Sequence, residues 1–169
     1  NKNYHIQKAL SEKGFMIPIG TCPSVGGGFF LGGGYSLFSR WLGMGVDAIL
    51  AFQVVTADGS IVIADSSQNS DLYWALRGGG GGSFGVVTSV TLKLTPLPPT
   101  VSLMRFEWSD GAKALPVWER FLLDNFDNPK LAPQGYTNSK GGARANVFYV
   151  GPLQELKRLV APLSAAGPT

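Results

Sequence analysis

Residues 20–36 read GTCPSVGGGFFLGGGYS, and this stretch decides the fold. It holds the only cysteine of the chain, Cys22, followed by two glycine triplets at 26–28 and 32–34. A glycine run can be a flexible linker, but linkers are rarely interrupted by apolar residues such as those at 29–31. The other interpretation is a main chain that lies against a flat or phosphorylated ligand, where a Cβ would collide. We favour this second interpretation.

Composition excludes several classes of protein. Of the 169 residues, 44% are hydrophobic and 15% are charged, which is typical of a globular chain. The net charge of +3 comes from scattered Lys and Arg, so no nucleic-acid partner is expected. No apolar run is long enough to span a membrane, so no membrane partner is expected either.

The numbers of cysteine and histidine residues limit which disulfides and metal sites the chain can form. One cysteine and one histidine, His5, cannot form an internal disulfide or a Cys/His metal cluster, so no metal site is expected. The opening residues NKNYHIQKAL lack the apolar core of a signal peptide, which leaves the compartment open.

Hydrophobic periodicity around the glycine stretch predicts helices mixed with antiparallel strands. Asp58-Gly59 lies between two β-branched runs, and this dipeptide accepts the positive φ angles of a tight hairpin turn. The expected elements are a helix over 4–13, an extended segment at 15–20, a short helix or turn over 35–43, a hairpin over 47–65, a helix over 69–77 and a strand over 83–96.

The pattern changes after LPPT at 97–100, where we expect a domain boundary. A strand over 101–108, a helix over 114–126, a strand over 143–151 and a helix over 152–163, which opens with Pro152, make a β-α-β-α series. The fold class is therefore predicted as α+β.

A second glycine-rich stretch contains a weak motif. Gly80, Gly82 and Gly85 match the G-x-G-x-x-G pattern of dinucleotide-binding folds, which needs a strand before the glycines and a helix after them. Here the predicted helix comes first and the strand second. We therefore reject the Rossmann interpretation.

Together, the motifs TCPSVGGG, FFLGGG, VVTADG and DLYWALRGGGGGSFGVVT closely resemble the berberine-bridge-enzyme-like branch of the vanillyl-alcohol-oxidase flavoproteins. The resemblance covers about residues 4–95. It implies that 1–96 form the second half of a PCMH-type FAD-binding domain, a mostly antiparallel sheet with flanking helices. It also implies that 97–169 begin an α+β substrate-binding domain. The chain is then expected to be partial, without the family's N-terminal FAD loop and C-terminal region.

The resemblance implies a role for the lone thiol. In the family, the cysteine of G-x-C-P-x-V-G is joined through sulfur to C6 of the FAD isoalloxazine ring, and Cys22 occupies that position. The alternative for Cys22 is a small buried apolar residue. His5 lies outside the family's other tethering loop, so we assign it no role in FAD attachment.

The other cofactor-binding candidates match the family's loops along the flavin ring, the ribityl chain and the nucleotide part. The SFGVV segment is also interpretable as a simple core strand, and the two interpretations are compatible. Because the loop is one residue shorter than usual, Phe29 or Phe30 is expected to make the pocket edge less polar. The candidates besides Cys22 are Gly20, Thr21, Val25, Gly26, Gly27, Gly28, Gly34, Tyr35, Ser36, Gly82, Ser83, Phe84, Gly85, Val86 and Val87.

The implied function is that of an FAD-dependent oxidoreductase. A small-molecule substrate, in secondary-metabolite biosynthesis, would pass hydride to flavin N5, and dioxygen would reoxidise the flavin. No catalytic base is identified. The alternatives are a redox-neutral cyclase or isomerase on the same fold, and a flavoprotein segment that is inactive alone and needs a second chain.

Overall fold

The structure is a computed structural model that describes residues 2–169. Their chain divides into two compact units, the first ending at Leu97 and the second spanning Pro98–Thr169. Each unit has its own hydrophobic core. The predicted α+β class is confirmed, since both units combine antiparallel strands with helices. Within residues 2–169, no helix has the length and apolar character needed to cross a membrane.

The first unit follows the predicted order of elements closely, and its hairpin is built on β2 and β3. Gly43, at φ +80°, is the C-cap residue of the helix over Ser39–Leu42, and Gly14, at φ +77°, lies two residues after the C-cap of the helix over Asn3–Ser11. The elements are α1 (Asn3–Ser11), β1 (Phe15–Met16), α2 (Gly28–Leu31), α3 (Ser39–Leu42), a 3-10 helix (Gly45–Ala48), β2 (Ile49–Val55), β3 (Ile61–Asp65), α4 (Ser70–Leu76), β4 (Val86–Leu92) and β5 (Thr95–Pro96).

Antiparallel pairing organises these strands. One sheet has the order β3-β2-β4, and β1 pairs with β5. In the β2–β3 turn, Gly59 N–H donates to the Thr56 carbonyl at 3.0 Å, and Gly59 has φ +83°. Asp58 does not share the positive φ expected of it. Its carboxylate instead accepts hydrogen bonds from Thr56 Oγ1 and Ser60 N–H, at 2.6 and 3.1 Å.

The core of this unit includes a residue that was expected at a pocket edge. Phe52 and Val54 of β2 and Leu76 of α4 are fully buried, as alternation and helical spacing predict. Phe30 of α2 is only 3% exposed and belongs to the same cluster, and Phe29 packs against it. Phe30 therefore does not form an exposed pocket edge, because α2, a short helix missed in the sequence, turns it inward. Phe29 is half-buried, and its place at the pocket edge stays a prediction.

The second unit departs from the predicted β-α-β-α order. An additional strand, β7, pairs with β8, and the antiparallel sheet has the order β6-β8-β7. Pro133 and Gly135 interrupt the alternation of β7, but a proline is tolerated in a strand with only one neighbour. The elements are β6 (Ser102–Trp108), α5 (Gly111–Asp124), β7 (Leu131–Thr137), β8 (Ala143–Tyr149), α6 (Leu153–Leu159) and α7 (Ala161–Ala165).

The last predicted helix is divided in two. Val160 separates α6 from α7, and Pro162 lies in the first turn of α7. Proline has no N–H and its ring crowds the preceding turn, so a continuous helix is interrupted there. Leu156, Val160 and Leu163 nevertheless remain fully buried in the core of this unit.

Candidate functional site

The Cys22 thiol lies exposed on the loop between β1 and α2, so the alternative interpretation of Cys22 as a small buried residue is wrong. Its Sγ lies 3.2 Å from the Ser24 hydroxyl oxygen. This hydrogen bond, with contributions from the backbone N–H groups of Ser24 and Val25, lowers the pKa of the Cys22 thiol below its usual value. A lowered pKa increases the fraction of the thiolate, which is the nucleophilic form of the side chain.

The first residues of α1 hold the loop that carries Cys22 by hydrogen bonds. Asn3 Nδ2 donates to the carbonyls of Gly20 and Cys22, at 3.3 and 3.1 Å. Asn3 N–H donates to the Val25 carbonyl at 2.7 Å, and Tyr4 N–H donates to the Pro23 carbonyl at 3.1 Å. Sequence reasoning missed Asn3. The only signal was an amide side chain just before the helical pattern, where it resembles an ordinary helix start.

The glycines after Cys22 divide into two groups. Gly27 and Gly28 begin α2, and a Cβ on either would meet no atom within 4 Å. Gly34 is buried, has φ +78°, and its Cβ would lie 2.8 Å from the Phe29 ring. Gly20 is also explained by packing, since its Cβ would lie 2.9 Å from that ring. The fold therefore needs Gly20 and Gly34, but it does not need Gly27 and Gly28.

The second glycine-rich segment packs against the first. A Cβ on Gly78 would lie 3.8 Å from Gly33, and one on Gly81 would lie 3.7 Å from Leu31. The segment runs from α4 into β4, which is the helix-then-strand order that excluded a Rossmann motif. Two stretches of main chain with few side chains thus meet at one place in the first unit.

The predicted residues of this second segment occupy different environments. Gly82 has φ +82° and open space around it, whereas a Cβ on Gly85 would collide with the Val55 carbonyl at 2.7 Å. Ser83 is exposed, and Phe84 lines a cleft of about 420 Å³ beside Arg77. Val86 and Val87 pair with Val55 and Val54 of β2, so both lie in a strand. Val87 packs against the hydrophobic core, whereas Val86 is 65% exposed.

The remaining candidates occupy different environments. Gly20, Thr21 and Ser36 line a cleft of about 670 Å³ together with one face of α1. Ser36 is buried, and its hydroxyl accepts a hydrogen bond from Phe38 N–H at 3.2 Å. Tyr35 is 66% exposed. The carbonyls of Gly26 and Gly27 accept hydrogen bonds from Phe29 and Phe30, which begins the turn of α2.

Two features of these residues fit FAD. Gly27, Gly28 and Gly82 leave open space where side chains would stand, as close approach of a flat ring or a phosphate requires. The Cys22 thiol is exposed and its thiolate is stabilised.

Comparison with known proteins gives the same assignment. Residues 1–65 match the family described as FAD binding domain. The uncharacterized FAD-linked oxidoreductase YvdP of Bacillus subtilis is 37% identical over 163 residues, which is 95% of this chain and 36% of that protein.

Solved structures agree with the sequence comparison. The D396N variant of Physcomitrella patens BBE-like 1 superposes with a TM-score of 0.90 at 32% identity, covering 99% of this chain and 38% of that one. The xylooligosaccharide oxidase of Myceliophthora thermophila C1 gives a TM-score of 0.83 at 33% identity, covering 98% of this chain and 36% of that one. The chain thus spans somewhat more than a third of the length of these relatives.

The fold and the sequence match define part of an FAD-binding domain of the PCMH type. More closely, the chain belongs to the berberine-bridge-enzyme-like FAD-linked oxidoreductases of the vanillyl-alcohol-oxidase type. The resemblance that the motifs indicated is therefore confirmed.

Proposed function

We propose that this protein binds FAD covalently through Cys22 and takes part in the oxidation of a small molecule. The observation that carries the proposal is an exposed thiol with a lowered pKa, followed along the chain by Gly27 and Gly28, at which an added Cβ would meet no other atom of the fold. A protein of this family with such a loop has the chemical group and the space that a flavin edge needs.

The chain's own residues have distinct parts in this proposal. Cys22 supplies the sulfur, and Ser24 stabilises its thiolate through the hydrogen bond at 3.2 Å. Gly27 and Gly28 let the main chain lie against the ligand, and Gly82 does the same on the second segment. Bound FAD supplies a hydride acceptor and passes electrons to dioxygen.

Formation of the bond between Cys22 and the flavin ring is a two-electron oxidation. The thiol loses its proton, a carbon–sulfur bond forms in place of a carbon–hydrogen bond at the ring, and two electrons leave with a second proton. Dioxygen is the oxidant that takes them. The adduct therefore adds the mass of one FAD less two hydrogen atoms to the polypeptide.

The substrate and acceptor remain part of the proposal. A xylooligosaccharide oxidase among the similar structures is consistent with dioxygen as acceptor and with a hydroxylated small molecule as substrate. A substrate from secondary metabolism is the narrower form of this proposal. No residue of this chain is assigned as the catalytic base.

A second candidate is a flavin-binding segment that turns over substrate only with a second chain. It is favoured by the span of 36–38% of the relatives' length. Turnover assays on the purified protein alone distinguish the two functions. Retained flavin without substrate oxidation supports the second candidate, and oxidation by the chain alone supports the first.

Intact mass after acid denaturation tests the covalent link. We expect the wild-type polypeptide to carry the added mass of FAD less two hydrogens, with flavin absorbance retained on the denatured chain. Cys22→Ser should remove both signals, since a serine hydroxyl is far less nucleophilic than a thiolate. Flavin retained on the denatured Cys22→Ser polypeptide would contradict attachment through this sulfur.

A further inference from the structure

We propose that Asn3 is a positioning residue that fixes the 20–25 loop so that the Cys22 thiol is presented for flavin attachment. The proposal rests on the proposed function, and it adds a residue to which neither the sequence motifs nor the comparisons point. Asn3 is the first residue of α1 and is only 1% exposed.

A single amide group joins two points of the loop. Asn3 Nδ2 donates at once to the Gly20 carbonyl and the Cys22 carbonyl, which lie 17 and 19 residues along the chain. Bridging two carbonyls that are two residues apart fixes the direction of the peptide between them, the one that leads into Cys22.

The backbone of α1 completes this attachment. Asn3 N–H reaches the Val25 carbonyl and Tyr4 N–H reaches the Pro23 carbonyl, at 2.7 and 3.1 Å. The four hydrogen bonds hold positions before, at and after Cys22. Cys22 Sγ contacts Ser24 Oγ within this segment. The hydrogen bonds from α1 therefore hold the main chain on both sides of that contact.

The chemistry of the position favours an amide. Two hydrogen-bond donors on one short neutral side chain are found in Asn and Gln, whereas an ionised Asp of the same shape only accepts. The Asn3 Oδ1 atom is buried and has no hydrogen-bond partner among residues 2–169. A buried oxygen without a hydrogen-bond partner costs free energy of folding. The two N–H donors of Asn3, and not its oxygen, therefore account for an amide at this position.

Asn3→Asp tests the donors without changing side-chain size, and Asn3→Ala removes them without adding a charge. Asn69→Gly is the matched control, since it removes one hydrogen bond from a side-chain amide to the Ile63 carbonyl and allows the left-handed φ of 49°. Circular dichroism and thermal melting identify the folded variants. If Asn3→Asp does not fold, Asn3→Ala is used for the comparison.

The first measurement is the pH profile of Cys22 alkylation by iodoacetamide, followed by intact mass on protein made under riboflavin limitation. We expect the midpoint to rise in the Asn3 variants and to stay at the wild-type value in Asn69→Gly. This readout needs no flavin, so it still tests Asn3 if the proposed function fails. An unchanged midpoint in folded Asn3 variants, or an equal rise in Asn69→Gly, overturns the proposal.

The second measurement is the fraction of polypeptide that carries FAD when riboflavin is ample. If wild-type protein is flavinylated, we expect the fraction to fall about ten-fold in the Asn3 variants, the effect of losing one to two well-placed hydrogen bonds. A wild-type fraction in folded Asn3 variants would overturn the role in attachment even if the alkylation profile moved.

Discussion

Ser24 is the residue that sets the chemistry of Cys22. Its hydroxyl oxygen lies 3.2 Å from Sγ and is the largest cause of the lowered pKa of the Cys22 thiol. We expect Ser24→Ala to move the midpoint of Cys22 alkylation to higher pH, because the thiolate loses a hydrogen-bond donor. Ser24→Thr keeps the hydroxyl and should keep the wild-type midpoint. Equal midpoints in all three proteins would show that the hydroxyl has no influence on the thiol.

Gly27 and Gly34 give a second test at the residue scale. Gly27 has ordinary helical angles with open space, so Gly27→Ala should fold with unchanged or slightly higher stability. We expect it to bind FAD about ten-fold more weakly, because the new methyl group occupies the ligand's space. Isothermal titration with FAD, or the flavinylated fraction, measures this effect.

Gly34→Ala should behave in the opposite way. Its φ of +78° and the contact of 2.8 Å to the Phe29 ring make any side chain strained. We expect a loss of about 1–3 kcal/mol in the free energy of unfolding, measured by urea denaturation. A stable Gly34→Ala together with a destabilised Gly27→Ala would contradict the division of the glycines drawn above.

What the sequence could predict at this scale depended on the type of residue. The exposed position of Cys22 on a glycine-rich loop is consistent with the role that its motif predicts, because that motif is local and its thiol is chemically distinct. The role of Asn3 was not visible, because its partners lie up to 22 residues away in Val25. Phe30 was misplaced because a run of glycines conceals the short helix that directs its side chain inward.

The connection between β3 and α4 is held by one carboxylate. Asp65 accepts hydrogen bonds from the N–H groups of Ser67 and Gln68, at 2.7 and 2.9 Å, and from both of their side chains. These bonds hold the pKa of Asp65 well below its usual range. The ionised carboxylate is therefore favoured in the folded protein relative to the unfolded chain.

The pH dependence of this element follows from the sign of that shift. Because the folded pKa is depressed, the contribution of Asp65 to stability is complete above about pH 4 and declines as the pH falls below the unfolded value. We expect Asp65→Ala to be less stable than wild type at pH 7, with a smaller difference at pH 3, measured by urea denaturation. Asp127→Ala, at an exposed position, is the control. A difference that grows toward acid would contradict this role.

At the scale of elements, the errors arose where tertiary pairing overrides local pattern. The β2–β3 hairpin and α4 were predictable because alternation, a glycine turn and helical spacing agree. Strand β7 was not predictable, since Pro133 and Gly135 break its alternation and only pairing with β8 defines it. The break between α6 and α7 depends on Pro162, which the predicted helix included in its last turn.

At the scale of the whole molecule, the two hydrophobic clusters have no residue in common within the described part of the chain. Leu76 and Leu156 are each fully buried, one in each cluster. We expect Leu76→Ala and Leu156→Ala each to cost about 2–5 kcal/mol. Hydrogen exchange should show the largest loss of protection in β2–β4 for Leu76→Ala and in β6–β8 for Leu156→Ala. Equal loss in both units from either change would contradict separate cores.

The order of strands in the second unit has a consequence for synthesis on the ribosome. The middle strand of β6-β8-β7 is the last of the three to be translated, so its two neighbours emerge before the strand that both of them bind. A nascent chain ending before Ala143 exposes two unpaired strands that have no native partner. Translation past Tyr149 is what lets this sheet assemble, and a pause just before Ala143 would lengthen the interval in which chaperones are needed.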